Sequence, residues 1–293
     1  MEQPDSHVVV RTWYKVLGEL EAGACPVIIL HGGPGFSHSY TLPHSELCAT
    51  RGLPVIFYDQ LGCGRSTHLD QPPAFWTLDV FMDQLDSVLA HFNITAKFAL
   101  LGHGWGGMLA ATYACRRGTP GLQCLVLTNC PASTELWTVG SNALLAGFPQ
   151  DTRTLIVEHE GAGTIESQEY QDAMQRFNET HLCTRKPWPT ELLQSFSDLM
   201  DDPRLYLIMN GPSEFNIIGT LKDWSIIDEL SQIACQALVI NGLNDVSQDV
   251  AVAPFFHNIP KAKWVQLRIS THMPFFEEPK RYFKVVGDFL SMF

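Results

Sequence analysis

Between Val8 and Asn129, short β-branched or apolar runs alternate with amphipathic stretches, a pattern in which strands interleave with helices over a largely parallel sheet. The runs Val8 to Tyr14, Pro26 to Leu30, Pro54 to Tyr58, Phe98 to Leu101 and Cys124 to Thr128 are the expected strands. Leu78, Phe81, Met82, Leu85, Val88, Leu89 and Phe92 recur at three- and four-residue spacing and form one apolar helical face. That helix leads into the strand ending at Leu101. After Asn129 the texture changes: the chain to Ile233 is acidic, amide-rich and helical, carries several Trp and Pro, and holds no convincing parallel-strand run. Alternation resumes with Gln236 to Asn241, Ala253 to Asn258, Trp264 to Arg268 and a final helix from Pro279 to Phe293. The expected architecture is therefore α/β, a mostly parallel central sheet with helices on both faces and an inserted helical cap. Its core is split into residues 1–130 and 233–293 around a cap at 131–232.

Net charge narrows the partners. With 19 Lys+Arg against 31 Asp+Glu the formal charge is −12, and polyanions such as nucleic acid or an anionic membrane require clustered cations that this chain does not show. Its apolar runs fall well short of the roughly 20 residues of a spanning helix. The eight cysteines are scattered in mostly apolar surroundings with no Cys-x-x-Cys pair, which reads as free thiols in a reduced compartment. Met1 to Ser6 is polar and carries acids where a secretory signal would be basic, so no signal peptide and a cytoplasmic location are expected. The sequons at Asn93 and Asn178 therefore carry no weight.

The segment Gly102-His103-Gly104-Trp105-Gly106-Gly107 sits between an apolar strand and the small-residue helix Met108 to Cys115. Glycines at 102 and 106 fit the Gly-x-Ser-x-Gly elbow of α/β-hydrolases, a strand-to-helix turn too tight for side chains at its flanks. The nucleophile position is Gly104, which has no hydroxyl. A second glycine-rich turn, His31-Gly32-Gly33-Pro34-Gly35, follows the strand ending at Leu30. Gly33 N–H and Trp105 N–H are the candidate oxyanion donors. Asp245, four residues past a strand end, and His272, after the last expected strand, complete the hydrolase order of nucleophile, acid and histidine. The plainer readings are a turn residue for Asp245, with Asp249 as the alternative acid, and a capping or buried structural histidine for His272. His31 and His103 have no further ligand at metal spacing and are read as loop-packing residues, so no metal and no cofactor are expected. Three accounts of Gly104 stand: a serine replaced by glycine, as for trapping a bound molecule; a naturally nucleophile-less relative; and a chance elbow in a Rossmann-like chain. The last leaves His31 to Gly35 and His272 unexplained.

With the segments Tyr58-Asp59-Gln60-Leu61-Gly62-Cys63-Gly64-Arg65-Ser66, Asn210-Gly211-Pro212-Ser213-Glu214-Phe215 and Ser270-Thr271-His272-Met273, these motifs resemble the proline iminopeptidase family of α/β-hydrolases over most of the chain, its tricorn-interacting aminopeptidase and amino-acid amidase branch included. Asp59 and Arg65 are expected to brace their own turn. The resemblance implies an α/β-hydrolase fold with a helical cap, a serine hydrolase acting on a small-molecule or short-peptide substrate at an N-terminal residue, and no cofactor. It implies that Glu214 stands where a carboxylate anchors the substrate ammonium, the plain alternative being a solvated cap carboxylate. Gly32 and Phe215 are the accompanying candidate contacts. Where the tricorn-interacting branch often carries a second glutamate, after the catalytic acid, this chain has Val246. One anchoring carboxylate holds an ammonium less well than two. Hydrolysis of uncharged esters, lactones or amides, and binding without hydrolysis, therefore remain alternatives. Among Trp137, Phe148, Trp188, Tyr206, Phe215 and Trp224, most are expected in the core and one or two on the pocket wall.

Overall fold

A computed structural model of the chain describes residues 9–21, 23–118 and 120–293. The first half of the sheet is built from β1 (Tyr14–Leu17), β2 (Val27–Leu30), β3 (Val55–Tyr58), β4 (Phe98–His103) and β5 (Leu122–Thr128). Helices α1 (Ser45–Arg51), α2 (Leu78–His91) and α3 (Trp105–Arg116) connect these strands. Five helices follow without an intervening strand: α4 (Thr134–Leu145), α5 (Gln150–Ala162), α6 (Gln168–His181), α7 (Thr190–Asp201) and α8 (Arg204–Met209). The chain then returns through β6 (Gln236–Gly242), α9 (Asp249–Asn258), β7 (Ala262–Leu267), α10 (Pro274–Glu277) and α11 (Pro279–Leu290). The strand order is β1-β3-β2-β4-β5-β6-β7, with only β1 antiparallel to its neighbour. Because β5 and β6 are adjacent and parallel, the α4 to α8 segment is inserted between two strands of one sheet.

Continuous apolar strands form here because both faces are covered. In β2, Ile28 and Leu30 join the cluster under α2 and α3, while Val27 and Ile29 face the cluster under α11; Leu100 and its neighbours Ala99 and Leu101 divide the same way. A third cluster joins Leu145, Ile156, Tyr170, Phe177 and Phe215 of the insertion to Val246, just past β6. The insertion is thus seated on the end of the sheet where the loops after β4, β5 and β6 converge. All eight cysteines are free, and among the described residues no helix is long and apolar enough to cross a membrane.

The first expected strand is misplaced. Residues 9–13 are not a strand, and Val8 lies outside the described residues. Arg11 N–H donates to the Thr67 hydroxyl at 2.8 Å and Trp13 N–H to the Ser66 hydroxyl at 2.9 Å, so this stretch is committed to the 59–67 loop and ladder pairing starts at Tyr14. Helix α3 begins at Trp105, three residues before the expected Met108, since its first turn is rich in glycine that hides a helical pattern.

Backbone packs directly on backbone at the β4–α3 turn. A Cβ on Gly106 would overlap the Leu30 carbonyl oxygen, and one on Gly102 would overlap the Gly106 carbonyl. Gly106→Ala is therefore expected to lower the unfolding free energy by about 3 kcal/mol or to prevent folding. Urea unfolding checks this, and a loss below about 0.5 kcal/mol would contradict the close approach.

Candidate active site

The β4–α3 turn places Gly104 at φ +54° and ψ −122°, a conformation that strains any residue with a side chain. A Cβ built there would lie 3.5 Å from His272 Nε2 and 3.9 Å from Gly32 Cα. The space for a serine side chain is therefore open, with the imidazole beside it. His272 arrives on the loop between β7 and α10, and its Nδ1 donates to Asp245 Oδ1 at 2.6 Å. Asp245, in the loop after β6, is fully enclosed; Oδ1 also accepts Ser247 N–H at 2.9 Å and Oδ2 accepts Asn129 Nδ2 at 2.6 Å. Burial pushes the Asp245 carboxyl up, against the opposing pull of His272, Ser247 and Asn129. Gly104, Asp245 and His272, separated by up to 168 positions in sequence, thus meet at one point, which the turn and capping readings did not require. Asp249, the alternative acid, instead bonds Asn241 and Gln266 at 2.8 and 2.7 Å.

The loop His31 to Gly35 faces the same point. Gly32 lines the cavity, but its N–H is spent on the Tyr40 hydroxyl at 2.5 Å, so it is not an available donor. Trp105, the first residue of α3, has no intrahelical acceptor for its N–H; Gly33, at φ +120°, follows in the loop. The Tyr40 hydroxyl in turn bonds His103 Nδ1 at 2.8 Å, and His103 Nε2 reaches the His272 carbonyl at 2.8 Å. Because a carbonyl only accepts, Nε2 carries the His103 proton and Nδ1 takes one from Tyr40. Burial holds His103 well below the usual histidine range, so a neutral ring ties the glycine loop to the His272 loop. His31 is a comparable brace. Its Nδ1 donates to Gly32 O at 2.9 Å and its Nε2 accepts Gln60 N–H at 2.9 Å, while burial lowers it to about 4. Among the described residues no cluster suits a metal ion. Asp59 accepts His38 and Arg65 N–H groups at 2.7 and 3.0 Å, as its bracing role requires.

A cavity of about 220 Å³ opens over Gly104 and His272, walled mainly by apolar and aromatic side chains from the core and the insertion. Trp137 and Tyr206 are the two expected aromatics found on this wall; Phe36, Tyr170 and Phe196 are additional. Phe215 does not line the cavity. It is buried edge-on against Phe177 with ring centroids 4.7 Å apart, because the apolar cluster of the insertion claims it. Glu214 does line the cavity, its backbone carbonyl held by Trp137 Nε1 at 3.2 Å and the Ser141 hydroxyl at 3.1 Å. Its Oε2 is enclosed without a hydrogen-bond partner among the described residues. Burial pushes this carboxyl above its ordinary 4.5, although the nearby His272 pulls the other way. Val246 lines the cavity as well and brings no charge.

Residues 26–279 match the α/β hydrolase fold family. The proline iminopeptidase of Heyndrickxia coagulans is 35% identical over 271 residues, 92% of this chain and 91% of that one. The chain belongs to the α/β-hydrolases of the proline iminopeptidase type. The crystal structure of VinJ superposes with a TM-score of 0.93 at 41% identity, covering 97% of this chain and 95% of that one. A Mycobacterium smegmatis proline iminopeptidase superposes with 0.89 at 38% identity over the same shares. The hydrolase fold with helices on both faces of a mostly parallel sheet is thereby established, and with it the family resemblance of the motifs.

Asn129 and the residues binding the insertion to the candidate catalytic loops carried no sequence signal. Asn129 sits at φ +52°, which asparagine tolerates better than most residues. His181, at the end of α6, accepts His272 N–H on its carbonyl at 3.2 Å and contacts the Asn244 carbonyl through Nδ1 at 3.0 Å. Glu277 receives N–H and hydroxyl groups from both Thr184 and Thr271.

With Glu214 raised, the folded state holds its proton more tightly than the unfolded chain, so stability is lost as pH climbs past the ordinary value of 4.5. Glu214→Gln is expected to match the parent near about pH 4 and to melt at a higher temperature at about pH 7. Thermal unfolding across that range checks it; a pH-independent difference between the two would contradict the enclosed, unpaired carboxyl.

Proposed function

We propose that this site is the acyl-transfer centre of an amide hydrolase acting beside a free amine, with residues 131–232 as its cap and Gly104 as a vacancy in the nucleophile position. The observation that carries the reading is the Asp245-held imidazole, whose Nε2 lies 3.5 Å from where a Gly104 side chain would begin. With serine there, Oγ attacks the carbonyl carbon as His272 Nε2 takes its proton. Asp245 fixes the tautomer with the proton on Nδ1 and stabilises the imidazolium. The developing oxyanion lies against the N–H groups of Gly33 and Trp105. His272 then protonates the leaving amine, and water releases the acyl group by the same route. As it stands, the chain binds this class of substrate without forming the acyl intermediate. The enclosed Glu214 carboxylate supports the choice of an amine-bearing substrate, as an aminopeptidase or amino-acid amidase requires. The apolar wall that includes Val246 favours the second reading, an uncharged ester, lactone or amide.

Gly104→Ser decides between them. Turnover of an aminoacyl p-nitroanilide is expected to rise by at least about 10³-fold over the Gly104 chain, and to return to baseline when His272→Ala is added. The serine is also expected to cost about 1–3 kcal/mol of stability through backbone strain. A folded Gly104→Ser protein that gains activity only on neutral aryl esters supports the second reading; one that gains on neither substrate overturns both.

A further inference from the structure

Strand β5 lies between β4, which runs into the Gly104 turn, and β6, which runs into the Asp245 loop. Its last residue, Thr128, and the next, Asn129, therefore emerge among the parts of the site. The Thr128 carbonyl accepts Gly104 N–H at 3.1 Å. The Asn129 carbonyl oxygen lies 3.9 Å from the place where a Gly104 side chain would begin. The Asn129 side chain is fully buried, and its Nδ2 donates to Asp245 Oδ2 at 2.6 Å. The same nitrogen donates to the carbonyl of Thr271, the residue before His272, at 3.2 Å. These partners define the amide. A carboxylate oxygen and a carbonyl oxygen only accept, so both must face Nδ2, and its two hydrogens supply one bond to each. Oδ1 takes the Thr128 hydroxyl at 2.7 Å, which agrees with that orientation.

Asp245 Oδ1 is shared by His272 Nδ1 and Ser247 N–H, whereas Oδ2 has Asn129 as its one partner among the described residues. Removing that donor leaves a buried oxygen unpaired and frees the carboxylate to turn about its Cβ–Cγ bond. We propose that Asn129 is a positioning residue of the acyl-transfer centre: one side-chain amide, by spending a hydrogen on the acid and a hydrogen on the chain beside the base, holds the Asp245–His272 pair against Gly104. Its φ of +52° fits this role, since a sparsely populated backbone conformation persists where the surroundings over-determine it. Asn129 is not part of the cavity wall, so it acts through Asp245 and His272 and not on the substrate. The proposal rests on the acyl-transfer reading of the site and adds to it a residue that the catalytic motifs do not contain.

The test has one arm without turnover and one with it. In the chain with Gly104 and isotope-labelled histidine, the proton between His272 Nδ1 and Asp245 is expected to give a low-field NMR resonance, assigned by its loss in His272→Ala. Asn129→Gly removes the amide at a φ that glycine adopts freely. It is expected to abolish this resonance, or to broaden it by solvent exchange, while the ring N–H resonances of His103 and His31 persist. In the Gly104→Ser background the same change is expected to lower kcat about ten- to hundredfold and to leave KM within about twofold. A packing role predicts fewer folded molecules with the Nδ1 resonance and kcat per folded molecule unchanged. That outcome overturns the proposal, as does a rise in KM at constant kcat. Should Asn129→Gly not fold, the unaltered chain decides: through-hydrogen-bond couplings from Asn129 Nδ2 to the Asp245 carboxyl carbon and the Thr271 carbonyl carbon are expected, and absence of either overturns the bridge. If Gly104→Ser turns over neither anilide nor ester, the acyl-transfer reading falls, whereas the resonance still reports whether Asn129 holds the pair.

Discussion

Main chain meets main chain where β4 turns into α3, and the rest of the site is hung on that contact. Gly102 and Gly106 leave no side-chain atoms between the turn and the Leu30 to His31 backbone, so the helix start and the glycine loop after β2 sit at a fixed separation. The N–H of Trp105 and the loop carrying Gly33 consequently share one small space, and no adjustable rotamer sets their distance. Side chains then lock what the backbone has placed. Gln60 joins Trp105 Nε1 at 2.7 Å to His31, and Tyr40 with His103 joins the same loop to His272. The neutrality of both histidines follows from burial and lets each act as a one-way donor and acceptor.

Two enclosed carboxylates illustrate how environment separates roles on one scaffold. Asp245 is the deeper, yet both of its oxygens have partners, and its charge is answered by the imidazole whose tautomer it sets. Glu214, which lines the cavity, has no hydrogen-bond partner at Oε2 among the described residues. Leaving a buried acceptor unpaired costs stability, so the folded chain bears an expense here that protonation or an incoming donor relieves. The contrast lies in hydrogen-bond completeness more than in depth.

Much of this architecture was legible because strands buried on both faces leave uninterrupted apolar runs: Val27–Leu30 and Val55–Tyr58 match the expected strands to within one residue. The elbow, the glycine loop and the order of positions 104, 245 and 272 were legible because tight turns demand glycine and loops after strands carry the polar groups. Legibility failed where tertiary bonds outcompete local pattern. Residues 9–13 look like a strand but bond to side chains more than fifty positions away. Phe215 looks like a pocket residue beside Glu214 but is drawn into a cluster with Phe177. Asn129 lies 116 positions from its partner Asp245. None of these depends on a spacing that a single chain displays.

One clasp deserves its own reckoning. The end of α6 holds the backbone of both candidate catalytic loops through His181, and Glu277 fastens Thr184 to Thr271. A swinging lid would therefore pull the base out of register with its acid each time it opened. The helical insertion and the two loops are in this way mechanically joined, so a substitution that shifts the end of α6 also shifts the Asp245–His272 pair.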